Sequence, residues 1–173
     1  MSTRGMLGFR INKKLMGTYN HSDSYPRSLG RDVATFITNF LADPTSVQKL
    51  MDKVRKLKVV KSPAKVPKRT LAYYNGSGPD YWSLLRDFQG VAGLEAIFTG
   101  KLLHWMDSKC LIKDSLFCKY AYILDLDTCT LELYIGSQIQ GDSYGPCRLV
   151  GTLPFSNVTP AEVLRVYSED EQT

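Results

Sequence analysis

The sequence predicts an α+β fold: an antiparallel sheet built from an N-terminal hairpin and a C-terminal hairpin plus strand, packed by several helices. Three observations lead there. Apolar residues alternate at period two near both ends, as Leu7, Phe9 and Ile11 and again as Leu131, Leu133 and Ile135. Between them, Val33, Phe36, Ile37 and Phe40 fall at helical spacing. Strands and helices therefore occupy separate runs, the signature of α+β rather than of alternating α/β units. A chain of 173 residues suits one domain, 1–173, with one core.

Taken in order, 5–11 and 15–20 read as a hairpin turning at Asn12-Lys13-Lys14. His21 to Ser28 is polar, contains Pro26 and reads as a loop. A helix is expected from Leu29 to Ala42. Asp43-Pro44 then looks like an N-cap followed by proline at the first helical position, opening a helix to Lys58. Its apolar stripe is Val47, Leu50, Met51, Val54 and Leu57, and its polar face is basic. Lys61 to Arg69 reads as an extended loop, Asn75 to Pro79 as a turn, and the stretch with Trp82, Leu85 and Phe88 as helix. Gly90 and Gly93 are expected to interrupt a further short helix containing Leu94, Ile97 and Phe98. Residues 102–113 favour neither state. The strongest β signal runs from Phe117 to Gly136, with a turn at Asp127-Thr128-Cys129. A Gly/Asp/Ser loop at 141–145 precedes a strand over Arg148–Leu153. Thr159-Pro160-Ala161-Glu162 is a capping box for a last helix, and 168–173 reads as a frayed tail.

The net charge of +5 is uneven. Residues 49–69 hold nine Lys or Arg and one acid, a local +8, so the remainder sums to −3. Such a segment is either a solvated face or a polyanion-binding one, with Lys53, Arg55, Lys56 and Lys58 as the contacts to nucleic acid or a partner protein. No apolar run approaches the roughly 20 residues that cross a bilayer, and the opening residues lack a signal-peptide core. A cytoplasmic location and no membrane partner are expected. The four cysteines, at 110, 118, 129 and 147, form no C-x-x-C pair or zinc spacing and read as free thiols, with a disulfide as the alternative. Apolar helix stripes leave room for a homo-oligomer. No cofactor and no metal site are expected.

The densest chemistry lies in Tyr19-Asn20-His21-Ser22-Asp23-Ser24-Tyr25-Pro26. An imidazole, a carboxylate, an amide and two phenols just past a strand end suit ligand binding. His21 is a residue type suited to acid–base work and Asp23 can orient it, so the same loop suits a hydrolase. The bland alternative is a tight loop whose polar side chains satisfy its own backbone. Ser2, if exposed by loss of Met1, would match an N-terminal nucleophile. Arg4 offers a guanidinium fork for carboxylate or phosphate. Trp82 and His104 read as structural, and Asp125 and Asp127 as turn chemistry rather than metal ligands.

Thr3-Arg4-Gly5, Gly8-Phe9-Arg10 and Tyr19 to Pro26 with Leu29-Gly30 resemble the opening of a family of small uncharacterised bacterial and phage proteins. Asp114 to Cys118, Tyr120 to Asp127 and Leu131 to Tyr134 resemble that family's C-terminal hairpin. The resemblance carries no known activity. It implies that Arg4, Asn20, His21, Asp23 and Tyr25 form a shared pocket. The leading expectation is a binding protein for a polar or anionic, nucleotide-like molecule, with Arg4 pairing the anion, Asn20 and His21 hydrogen-bonding and Tyr25 stacking. In a phage it would sequester a host signal.

Overall fold

The computed structural model describes residues 3–60 and 89–170. Ser2, the 61–69 loop, the Asn75–Pro79 turn and the Trp82 helix expected from sequence lie outside them. Strands β1 (Gly5–Ile11) and β2 (Lys14–Asn20) form the expected hairpin. Its turn is tighter than the sequence suggests. Asn12 and Lys13 take φ of 49° and 62°, the doubly left-handed geometry of a two-residue type I′ turn. Strands β5 (Tyr120–Asp125) and β6 (Thr130–Ile135) form the second hairpin, and β9 (Arg148–Pro154) adds to it.

The two hairpins join into one sheet in the order β2-β1-β5-β6-β9. Every junction is antiparallel except the central one, where β1 runs parallel to β5 with Gly5 opposite Tyr120. A parallel pair needs a long crossover, and the helices between the hairpins supply it. Leu7, Phe9, Tyr122, Leu124, Leu131 and Leu133 point to the helical layer and build the main core. Met6, Ala121 and Ile123 point the other way, under Leu111 and Ile112. Both faces are covered, so β1 is buried almost throughout.

The helical layer begins with a π-helical turn, Pro26–Gly30, that runs into α1 (Arg31–Phe40). Helix α2 (Pro44–Lys56) starts where the sequence places it: Asp43 accepts from the Ser46 backbone N–H at 3.0 Å. It stops before Lys58, because Leu57 turns extended and Lys58–Val60 forms a short strand, β3, parallel to β4 (His104–Met106). Three-residue strands show no readable period, so this pair escapes sequence analysis. Gly90 and Gly93 do not interrupt α3 (Gly90–Phe98); both are buried within it. Gly90 opens the helix at φ +57°, where a side chain would crowd Leu29 and Asn20. Residues 109–113 form a 3-10 turn, and the 141–145 loop holds the tip of a small hairpin, β7 (Ile139–Gln140) and β8 (Ser143–Tyr144). Phe155–Asn157 is a single 3-10 turn after β9. Helix α4 (Pro160–Asp170) is capped by Thr159, whose hydroxyl accepts from Glu162 N–H at 3.1 Å. The expected frayed tail is helical through Asp170, which pairs with Arg148 at 2.6 Å.

Candidate ligand-binding cleft

The polar loop leaves β2 and turns back over the start of β1. Asn20 is buried and spends its amide inside the loop, donating to the Ser22 carbonyl at 2.6 Å and the Ser24 hydroxyl at 2.8 Å. Ser24 is fully buried: its N–H donates to the Thr3 carbonyl, and its carbonyl accepts from the Tyr122 hydroxyl at 2.9 Å. Gly5 makes this docking possible, since a β-carbon there would sit 2.4 Å from the Tyr120 carbonyl oxygen and 2.6 Å from Ser24 Cβ.

The exposed residues of the loop diverge. His21 is tied by its backbone N–H to Gln89 Oε1 at 2.8 Å, and its Nδ1 lies 3.2 Å from the Tyr19 hydroxyl. Asp23 takes φ +56°, tolerable for Asp, and its carbonyl accepts from Leu29 N–H. Arg4 lies over the Phe117 ring, 5.4 Å from its centroid. Tyr25 reaches a cavity.

That cavity is a cleft of about 440 Å³ between the π-helical turn, the start of β5 and the last turns of α4. Tyr25, Pro26 and Arg27 form one wall, Tyr120 the floor, and Leu164, Tyr167 and Ser168 the other wall. The rings make a chain of contacts: Tyr25 to Tyr120 at 6.0 Å between centroids, then Tyr120 to Tyr167 edge-on at 5.5 Å. Tyr167 is buried and donates to the Tyr134 carbonyl at 3.1 Å; burial holds its phenol well above the ordinary range. Tyr25 is 41% exposed. Arg27 is exposed and makes no ion pair or side-chain hydrogen bond among the described residues.

Tyr120, Tyr167 and Arg27 were not singled out by sequence. Tyr120 reads there as an ordinary strand residue, and Tyr167 lies 47 residues further on. A usable signal was the shared parity of Tyr120 and Tyr122, which places both rings toward the helices.

A second concavity, about 720 Å³ and shallower, follows the basic face of α2 and is lined by Thr45, Gln48, Lys49, Asp52, Lys53 and Lys56 among others. Asp52 is occupied by Gln48 at 2.9 Å and Arg55 at 3.3 Å, and Lys49 lies over the Phe98 ring at 4.4 Å. Of the four expected contacts, Lys53, Arg55 and Lys56 lie on α2 and Lys58 on β3. His104 Nδ1 and Trp105 Nε1 are buried without a hydrogen-bond partner among the described residues, and burial lowers the His104 pKa. Asp125 accepts from the Asp127 and Thr128 backbone N–H groups, and Asp127 from those of Asn12 and Lys13. Both are turn carboxylates. Among the described residues no three His, Cys, Asp or Glu side chains gather as a metal site. No described helix is long and apolar enough to cross a membrane.

No protein-family model, curated protein or solved structure matches this chain. The family resemblance therefore rests on the residues that carry it.

Proposed function

We propose that this protein binds a small anionic molecule with a flat ring, of nucleotide type, in the tyrosine cleft. The observation that carries the reading is the gathering of three tyrosine rings and the Arg27 guanidinium, which has no ion pair or side-chain hydrogen bond among the described residues, around one 440 Å³ cleft. That volume falls within the roughly 300–1,000 Å³ of small-molecule sites. Tyr25 offers a face on which a base stacks, worth about 1–3 kcal/mol. Arg27 supplies the planar fork that grips phosphate. The anion partner in this reading is Arg27 rather than Arg4, which is engaged with Phe117.

Native mass spectrometry followed by calorimetric titration with mono-, di- and cyclic nucleotides tests it. A bound nucleotide should be released intact, and Arg27→Ala should weaken binding about tenfold or more, the worth of a charge-assisted hydrogen bond of about 1.5–3 kcal/mol. Binding that survives both Tyr25→Ala and Arg27→Ala unchanged would overturn the reading. Turnover of the nucleotide lost in His21→Ala or Ser2→Ala would instead identify a hydrolase. Sequestration of a nucleotide signal during phage infection is the biological role that the family resemblance suggests for such a site.

The groove along α2 favours a second reading, contact with a polyanion through Lys53, Arg55, Lys56 and Lys58. Its mark is an affinity that falls steeply with salt. Neutralising those four residues without effect on nucleic-acid binding would dismiss it.

A further inference from the structure

Cys118 and Cys147 are distant in sequence but share one small cluster beneath the sheet, with Met6, Ala121 and Ile123. Cys118 stands just before β5 and Cys147 just before β9. The Cys147 thiol donates to the Cys118 carbonyl oxygen at 3.3 Å, which sets its sulfur beside Cys118. Cys118 Sγ also lies 3.5 Å from the Tyr120 carbonyl. Two cysteines can be bridged without rebuilding the backbone only when their side chains lie close together, and these two share one buried cluster with the Cys147 sulfur against the Cys118 backbone.

The pair is unequal. Cys118 is fully buried, whereas Cys147 keeps 9% of its surface exposed. The neighbouring Cys147, with burial, pushes the Cys118 thiol up, and Cys118 in turn draws the Cys147 thiol down against its own burial. Attack on an oxidant goes to the more accessible, more acidic thiol, and its buried neighbour is placed to resolve the product. The other two cysteines, Cys110 and Cys129, are exposed.

We propose that Cys118 and Cys147 are a reactive dithiol that a hydroperoxide converts into an intramolecular disulfide. The Cys147 sulfur attacks one peroxide oxygen and the O–O bond breaks. Cys147 becomes a sulfenic acid, and the other oxygen leaves as water or an alcohol. The Cys118 sulfur then attacks the Cys147 sulfur: the S–S bond forms, the S–O bond breaks, and hydroxide departs with the Cys118 proton as water. The thiol pair has lost two electrons and the peroxide has gained them. The product ties the entry of β5 to the entry of β9 across β6.

The test uses the full chain with Cys110→Ser and Cys129→Ser, reduced and then given stoichiometric hydrogen peroxide. The expected result is an intact mass lower by two hydrogens, a non-reducing peptide map joining the peptides that contain Cys118 and Cys147, and reversal by dithiothreitol. The denaturation midpoint of the oxidised form should rise, because the bridge restricts the unfolded chain. In Cys118→Ala, Cys147 should stop at a sulfenic acid that dimedone traps. Two free thiols after peroxide treatment, links only between molecules, or Cys147 sulfinic acid with no bridge would each overturn the proposal. The mass and peptide map decide the matter even where Cys118→Ala does not fold.

Discussion

The polar loop and the tyrosine cleft share Tyr25 and differ in how their polar groups are spent. In the loop, the Asn20 amide and the Ser24 hydroxyl satisfy each other, and the Ser24 carbonyl is taken by Tyr122. Such groups hold a loop in place and have little left for a guest. Around the cleft, Tyr25 is exposed and Arg27 is uncommitted among the described residues. The loop is rich in chemistry per residue, yet the cleft has the unspent chemistry. Closeness in sequence concentrates polar groups; convergence on a cavity needs elements that meet only after folding.

Gly5 couples the two regions, and substituting it is the strongest way to break the contrast. A β-carbon at 2.4 Å from the Tyr120 backbone must displace either the docked loop or the cleft floor. Gly5→Ala should cost about 3 kcal/mol, the upper end for an overpacked site, measured by urea denaturation. A cost below about 1 kcal/mol would show that the loop docks loosely and is free to be the site. Asn20→Ala comes next. It strands the buried Ser24 hydroxyl and should lower stability by about 1–3 kcal/mol, while leaving ligand affinity of the folded protein unchanged. The reverse pattern, affinity lost and stability kept, would move the site into the loop.

Much of the fold was legible because its strong elements are long and periodic. β1 announces itself through Leu7, Phe9 and Ile11, α2 through Asp43-Pro44, and α4 through Thr159 and Glu162. The parallel junction of β1 with β5 was not, since no local pattern says which hairpins become neighbours or in which sense. The β3–β4 and β7–β8 pairs are too short to show alternation. Gly90 and Gly93 mislead because glycine weakens a helix in isolation, whereas here both are buried in α3. Of the candidate site, Tyr25 was visible in the polar run. Arg27 stood two residues beyond it, outside the cluster that drew notice. Tyr120 and Tyr167 join it only through the packing of β5 and α4, which is information the chain carries in its fold rather than in any segment.

The far end of the sheet offers a finer version of the same contrast. Asp127, read from sequence as turn chemistry, is like Asn20 spent on structure: its two oxygens accept from the Asn12 and Lys13 N–H groups, each at 2.9 Å, tying the second hairpin to the turn of the first. Those backbone bonds, Lys13 first, hold its carboxyl below the usual range, aided by Arg55 and Arg10. A carboxyl whose folded pKa is depressed contributes stability above its unfolded pKa, about 3.9, and loses it as pH falls through the folded value. The denaturation midpoint should therefore begin to drop below about pH 5 and go on dropping through the depressed folded pKa, and Asp127→Asn should flatten part of that drop. Among the described residues Asp43 and Asp170 are lowered too, by Ser46 and by Arg148, and contribute to the same drop. Because Asp127 is exposed, the share it carries is small, and it is best read as the difference between wild type and variant across the pH range. Identical acid profiles would mean that the carboxylate is not spent on the turn, which would place Asp127 with Arg27 among the groups still available to a ligand.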